Sequence, residues 1–105
     1  MSLRQIRYFV TVARSRSLSA AARILRVSQP SLGVQIKQLE DNIGTRLLLR
    51  HRRGVELTEA GTVFLPHANA ALEEISRAER AIAALNQSWS EEVSLGVTPK
   101  SSRKP

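Results

Sequence analysis

The sequence predicts a mostly α-helical fold in which three short helices and a two-stranded hairpin precede one long helix. Two observations support this fold class. Apolar residues recur at spacings of three and four, which is the spacing of one helix face. Capping residues and glycines interrupt that pattern at points where helices begin and end. At 105 residues the chain has room for one compact domain with an appended element.

The first two helices follow from a regular apolar stripe and a good capping residue. The first helix is predicted over about Leu3–Arg14, and its stripe consists of Leu3, Ile6, Phe9, Val10 and Ala13. Ser17 is a suitable N-cap for a second helix over Leu18–Leu25. Alanines at positions 20 to 22 would let a neighbouring helix pack closely against it.

The third helix is predicted to begin at Ser28 and to end before Gly44. Pro30 is compatible with it because amides of the first turn have no acceptor within the helix. The core stripe consists of Leu32, Ile36, Leu39 and Ile43. The opposite face carries Pro30, Gly33, Val34, Lys37, Gln38 and Asp41. Proline, glycine and valine are unusual on a face that meets only water, which points to a contact surface.

A hairpin with a cationic tip follows the third helix. Residues 47–50 and 55–57 are predicted strands, and His51, Arg52, Arg53 and Gly54 join them. Thr58 can then cap a long helix that runs from Glu59 to about Asn86. We therefore divide the chain into a helical domain over 1–58, a linker helix over 59–86, and a polar hinge with a short predicted strand and a disordered end over 87–105.

The long helix carries an apolar repeat with alternating offsets of four and three. The repeat, here called the heptad seam, consists of Phe64, Ala68, Ala71, Ile75, Ala78, Ile82 and Leu85. A mean period of 3.5 residues is typical of a coiled coil. The seam could instead pack on the helical domain of its own chain. Because the repeat is unbroken, we favour a partner helix and expect a dimer.

Charge is distributed unevenly along the chain. Residues 1–58 hold eleven lysines or arginines against three acidic residues, a net charge of +8, whereas residues 59–105 hold five against six, a net charge of −1. The basic part is the part expected to meet a polyanion. Cysteine is absent and only two histidines occur, so we expect neither a disulfide nor a metal site. Without a signal peptide or a membrane-spanning apolar run, we expect a soluble, cytoplasmic protein with no membrane association.

A short alanine-rich helix, a tight turn and a capped helix are typical of a helix-turn-helix, which places its second helix in the major groove of DNA. Gln29 can bond to an adenine edge, and Pro30 or Val34 can touch a thymine methyl group. Ser31 suits a phosphate or a base, and Lys37 a phosphate or a guanine. Gly33 would allow close approach. The DNA-contacting residues expected from this helix are Ser28, Gln29, Pro30, Ser31, Gly33, Val34 and Lys37.

The hairpin and the second helix supply further DNA contacts. Arg52 and Arg53 at the hairpin tip can reach an adjacent minor groove, whereas Arg50 is expected nearer the DNA backbone. Ser17 and Ser19, together with the first amides of the second helix, are expected to contact a phosphate.

These segments resemble the N-terminal winged helix-turn-helix of LysR-type transcriptional regulators. The resemblance rests on AA-x(5)-V-S-Q-P from Ala20, L-E-x(3)-G-x(2)-L from Leu39 and L-T-x-A-G from Leu57, and it covers Met1 to about Asn86. The resemblance implies base contacts by Gln29, Pro30, Ser31, Gly33, Val34 and Arg53. The family usually has serine or threonine in place of Gly33 and arginine in place of Val34, so this helix offers fewer polar groups than is usual.

The resemblance also implies how such a protein is assembled and regulated. It implies a homodimer through the linker helix, tetramers only in a full-length protein, an interrupted inverted repeat as the target, and contact with RNA polymerase. A small-molecule inducer would bind an effector domain that would begin near Val93, so no cofactor is expected for these residues. We therefore interpret the sequence as the DNA-binding part of a larger regulator.

Three other classes of protein fit the sequence less well. A sequence-tolerant architectural DNA-binding protein needs only phosphate contacts and deformable DNA, and the ordered Gln-Pro-Ser helix start argues against it. An enzyme would need a nucleophile with its base, a phosphate loop or a metal cluster, and none is present in the sequence. A module for protein dimerisation alone would leave the charge of +8 unexplained.

Overall fold

The computed structural model describes the backbone of residues 1–94 and the side chains of residues 1–87. Its elements are α1 (Leu3–Ser15), α2 (Leu18–Leu25), α3 (Gln29–Ile43), β1 (Leu48–His51), β2 (Gly54–Leu57) and α4 (Glu59–Ser94). The predicted fold class is confirmed: three helices and a two-stranded wing precede one long helix. Helix and strand bounds agree with the prediction to within about one residue up to the start of α4.

Local capping interactions set the ends of the three short helices. The hydroxyl of Ser17 accepts a hydrogen bond from the amide of Ala20, and that of Ser28 accepts one from the amide of Ser31. Gly44 ends α3 with a φ of 93°, a left-handed conformation that glycine adopts without steric cost. The sequence predicted these three positions correctly because capping depends on residues close together in the chain.

The core lies between α1, α2, α3, the wing and the first turns of α4. Its largest fully buried side chains are Phe9, Val12, Leu32, Leu39 and Leu47. The apolar stripe of each helix meets the others here, so burial rather than helix propensity determines how these short helices are arranged.

The wing is an antiparallel pair in which Leu48 faces Leu57 and His51 faces Gly54, with Arg52 and Arg53 as the turn. Its second strand is attached to the end of α1, because the amide of Val55 donates to the carbonyl oxygen of Arg16 at 3.1 Å. A Cβ atom at Gly54 would lie only 2.5 Å from that same oxygen, and the φ of Gly54 is +138°. Glycine is therefore required here both by the backbone conformation and by the close approach of α1.

The first part of α4 packs against the core of its own chain. Ala68 is fully buried, and the ring centroids of Phe64 and Phe9 lie 5.4 Å apart. The prediction that the whole heptad seam faces a partner helix is therefore wrong for Phe64 and Ala68. The compact unit that contains them extends from Met1 to Leu72. Periodicity defines an apolar face of a helix, but it does not identify the surface that covers this face.

The second unit begins at Glu73, and α4 continues through it to Ser94. The predicted polar break over 87–92 is therefore wrong for the described residues, since these positions are helical. The sequence has no glycine or proline between Pro66 and Gly96, and polar residues alone do not end a helix. The rest of the predicted strand after Ser94 and the predicted disordered end lie outside the described residues.

Candidate nucleic-acid interface

The first turns of α3 form an exposed surface. Gln29, Pro30, Ser31 and Val34 are all exposed, and Val34 leaves 52% of its surface open. Ser28 is exposed as well, and its oxygen accepts from the amide of Ser31 at 3.1 Å, so its hydroxyl proton is still free to be donated. The structure thus places the predicted contact residues together on one outward surface.

Helix α1 holds α3 in place through a glutamine that the sequence analysis missed. Gln5 is 9% exposed, and its Nε2 donates to Oε1 of Gln35 at 3.2 Å and to Oε1 of Gln38 at 3.1 Å. Its own Oε1 accepts from the amide of Ser2 at 3.3 Å. A capping box at α1 is thereby coupled to the orientation of α3. The S-x-x-Q pattern from Ser2 is the signal that could have identified this residue.

The wing is attached to α3 by Glu40, a second residue that sequence reasoning did not single out. Its Oε2 accepts from the amide of Leu47 at 2.8 Å and from the amide of Leu48 at 3.1 Å. The side chain of Glu40 is only 11% exposed, and Arg46 lies 3.8 Å from its other oxygen. Charge-assisted bonds to two backbone amides are strong, so Glu40 determines where β1 begins relative to α3.

The remaining charges of α3 and the wing are exposed. Lys37 lies 3.6 Å from Asp41 one turn further on, and both side chains are mostly exposed. Across the wing, Nε2 of His51 lies 2.9 Å from the carboxylate of Glu56. Exposed pairs of this kind add little to stability, so Lys37 can exchange Asp41 for another anion at low cost.

The wing places its arginines in two different environments. Arg52 and Arg53 form the exposed turn, as predicted. Arg50 instead extends along the groove between β1 and α3, with its Nη2 3.4 Å from the position that a Cβ atom at Gly33 would occupy. The structure therefore brings Arg50 and Gly33 together, which the sequence analysis did not foresee.

The two serines predicted to contact a phosphate lie at the start of α2, where Ser17 is partly buried and Ser19 is exposed. The oxygen of Ser17 accepts from the amide of Ala20 at 3.1 Å, and the hydroxyls of Ser17 and Ser19 lie 3.2 Å apart. Both hydroxyls lie at the start of α2, where the helix dipole favours an anion.

Positive charge dominates residues 1–58. The three acidic residues of this part each lie within 4.0 Å of a basic group or histidine, as described for Glu40, Asp41 and Glu56. Within the part of the chain that the structure describes, six arginines of α1, α2 and the turns after them have no carboxylate within this distance: Arg4, Arg7, Arg14, Arg16, Arg23 and Arg26. Their combined field attracts a polyanion.

A comparison with known families agrees with this arrangement. The family described as "Bacterial regulatory helix-turn-helix protein, lysR family" matches residues 3–62, which is more than half of the chain. The chain belongs to the LysR family. The matched residues span α1, α2, α3, the wing and the first turn of α4, and members of this family are regulatory proteins rather than enzymes.

Individual LysR-family proteins match over different lengths. The HTH-type transcriptional regulator BudR of Klebsiella aerogenes is 58% identical over 64 residues, which cover 61% of this chain and 45% of that protein. The nitrogen assimilation regulatory protein nac of Escherichia coli (strain K12) is 37% identical over 99 residues, which cover 94% of this chain and 32% of that protein. The chain spans less than half the length of these two relatives.

A solved structure of a LysR-family DNA-binding domain has the same fold. The crystal structure of the CbnR_DBD–DNA complex matches with a TM-score of 0.75 and 44% identity, covering 81% of this chain and 99% of that one. The winged helix-turn-helix of the LysR family is therefore the fold of this chain. None of the helices among residues 1–94 combines the length and hydropathy needed to cross a lipid bilayer. No cluster of three metal-ligating side chains occurs among the same residues.

Proposed function

We propose that this chain is the DNA-binding part of a LysR-type transcriptional regulator and recognises double-stranded DNA in a sequence-specific manner. The observation that carries the proposal is the exposed start of α3, where Gln29, Pro30, Ser31 and Val34 form one surface. A surface of this kind fits the major groove. The proposed place of action is the cytoplasm, where bacterial DNA lies.

Two anchors support a specific rather than a sequence-tolerant interaction. Gln5 holds α3 against α1, and Glu40 holds the wing against α3. Base recognition needs side chains held in a defined position, whereas an architectural protein needs only phosphate contacts. In this proposal the wing turn, with Arg52 and Arg53, enters the adjacent minor groove while α3 occupies the major groove.

We further propose that α4 forms a homodimer and that the target is an interrupted inverted repeat. The later positions of the heptad seam support this, since Ala78, Ile82 and Leu85 are exposed. Ile82 leaves 57% and Leu85 leaves 46% of its surface open. A partner helix would bury these side chains and would set the spacing between two half-sites. Contact with RNA polymerase and tetramers of a full-length protein stay predictions from the family resemblance.

Selection of binding sites from random DNA tests the proposed function. We expect enrichment of two half-sites related by two-fold symmetry. Uniform recovery of all sequences, with binding that depends only on salt, would instead indicate an architectural protein.

Variants then separate the base contact proposed for α3 from the sequence-tolerant electrostatic contact proposed for the wing turn. Gln29→Ala is expected to cost about 1 to 3 kcal/mol on the selected site and little on random DNA. Arg52→Ala is expected to weaken binding to the selected site and to random DNA alike. It should also reduce the slope of log K against log salt concentration by about one, which corresponds to one fewer counterion released. Equal losses on both DNAs for both variants would contradict these assignments.

A further inference from the structure

Arg50 lies on the side of the wing that faces α3. Side chains alternate along a strand, so Arg50 shares a face with Leu48, which is 4% exposed. Its partner across the wing is Val55, which is 7% exposed. Arg50 therefore continues the inward face of the strand and extends from the edge of the core over the surface of α3.

Gly33 of α3 lies next to the guanidinium end of the Arg50 side chain. A Cβ atom at Gly33 would be 3.4 Å from Nη2 of Arg50, which is ordinary van der Waals contact. A methyl group would fit there, whereas a longer side chain directed toward the wing would need the space that the guanidinium occupies. At about 100° per residue, Gly33 lies roughly 40° from Lys37 and roughly 60° from Pro30 on the helix surface. The guanidinium is thus beside the exposed face of α3.

We propose that Arg50 and Gly33 act as one specificity-determining pair. Helix α3 has no polar side chain at Gly33, and the guanidinium of Arg50 supplies one from the wing. This guanidinium contacts a guanine edge in the major groove. The inference rests on the proposed DNA binding. A guanidinium can bond to O6 and N7 of guanine with two parallel N–H groups.

The surroundings of Arg50 are consistent with a contact to DNA. In the described residues no carboxylate lies within 4.0 Å of it, and the two acidic residues of α3 pair elsewhere, Asp41 with Lys37 and Glu40 with Arg46. The side chain also borders the groove between β1 and α3, which Ile36 and Lys37 line as well. Its donors are therefore available to an acceptor brought in by the DNA.

The first test is binding-site selection with Arg50→Lys and Arg50→Ala beside the unchanged protein. Lysine keeps the charge and loses the two parallel donors. We expect both variants to lose the preference for guanine at one position of each half-site by roughly 5- to 150-fold, while the other positions keep their preferences. Arg77→Ala, which removes an exposed arginine of α4, is the control and should leave every preference unchanged.

The second test asks whether Gly33 acts through Arg50. Leucine and alanine both favour helices, so Gly33→Leu and Gly33→Ala differ chiefly in length. We expect Gly33→Leu to remove the same guanine preference and Gly33→Ala to weaken it less. With Arg50→Ala already present, Gly33→Leu should change the guanine preference at that position by less than about 2-fold, because the side chain that provides the preference is then absent.

The outcomes separate this inference from the proposed function. A uniform loss of affinity on all sequences with Arg50→Ala and Arg50→Lys would make Arg50 a phosphate contact and overturn the inference. The inference would also be overturned if Gly33→Leu kept the guanine preference unchanged. The proposed function itself fails only if the unchanged protein selects no sequence. Melting curves of all variants, at one protein concentration, verify that each is folded.

Discussion

Replacing Gly61 with alanine tests how closely α4 approaches the wing. Gly61 lies in the first turn of α4, where its amide donates to the Thr58 hydroxyl at 2.9 Å. A Cβ atom at this position would overlap the carbonyl oxygen of Leu47 and would lie 3.1 Å from the carbonyl carbon. The obstacle is backbone, so no change of side-chain rotamer can relieve it.

The expected cost combines three effects. Alanine is favoured over glycine inside a helix by about 0.5 to 1 kcal/mol. Against this, overpacking typically costs about 1 to 3 kcal/mol. Moving α4 away also weakens the hydrogen bond from the Thr58 amide to Leu47, which is 3.0 Å long, at a further cost of about 1 kcal/mol. We expect a net loss of about 1 to 3 kcal/mol, or a Tm lower by roughly 5 to 20 °C.

Thermal unfolding followed by circular dichroism measures this effect, at one protein concentration because dimerisation would shift Tm. Gly33→Ala is the matched control. Its Cβ would meet only the end of Arg50 at 3.4 Å, so the helix preference should dominate and raise Tm by a few degrees. If Gly61→Ala melts at or above the temperature of the unchanged protein, the reasoning about close backbone approach is wrong.

Three further predictions concern the cap, the wing anchor and the dimer. Ser28→Ala should cost about 1 kcal/mol in urea unfolding, since Ser31 loses its cap; an unchanged midpoint would contradict this role. Glu40→Ala should lower the free energy of unfolding in urea by about 2 to 4 kcal/mol. Glu40→Gln should lower it less, because glutamine keeps an acceptor for the amides of Leu47 and Leu48. Equal losses for the two variants would refute these hydrogen bonds. Ile82→Asp should halve the mass in sedimentation, whereas Ala84→Asp, on the opposite side of α4, should not; a dimer in both cases would exclude the seam at this position.

Several features were predictable because their causes are local in the sequence. The caps at Ser17 and Ser28 and the helix end at Gly44 each depend on a few consecutive residues, and the structure has all three. The start of α4 after Thr58 follows the same logic. The exposed face of α3 was also predictable, since a helical period separates it from the core stripe.

Other features were missed because their partners are distant in sequence. Gln5 bonds to residues 30 and 33 positions away, and although the S-x-x-Q pattern indicates its bond to Ser2, no spacing in the sequence indicates Gln35 and Gln38 as its partners. Glu40 lies in a recognisable motif, but its two amide partners are known only from the folded chain. The proximity of the Arg50 guanidinium to Gly33 likewise depends on where the wing lies beside α3.

By itself, the sequence determined the helices, the wing, the concentration of positive charge in residues 1–58 and the surface of α3 proposed to meet DNA. Each of these follows from periodicity, capping or composition, which act over a few residues. Only the tertiary structure decided that Phe64 and Ala68 of the heptad seam pack on their own chain, while Ile82 and Leu85 are exposed. The physical reason is that burial is a property of the surfaces that meet, and a repeat along one helix does not specify the opposing surface.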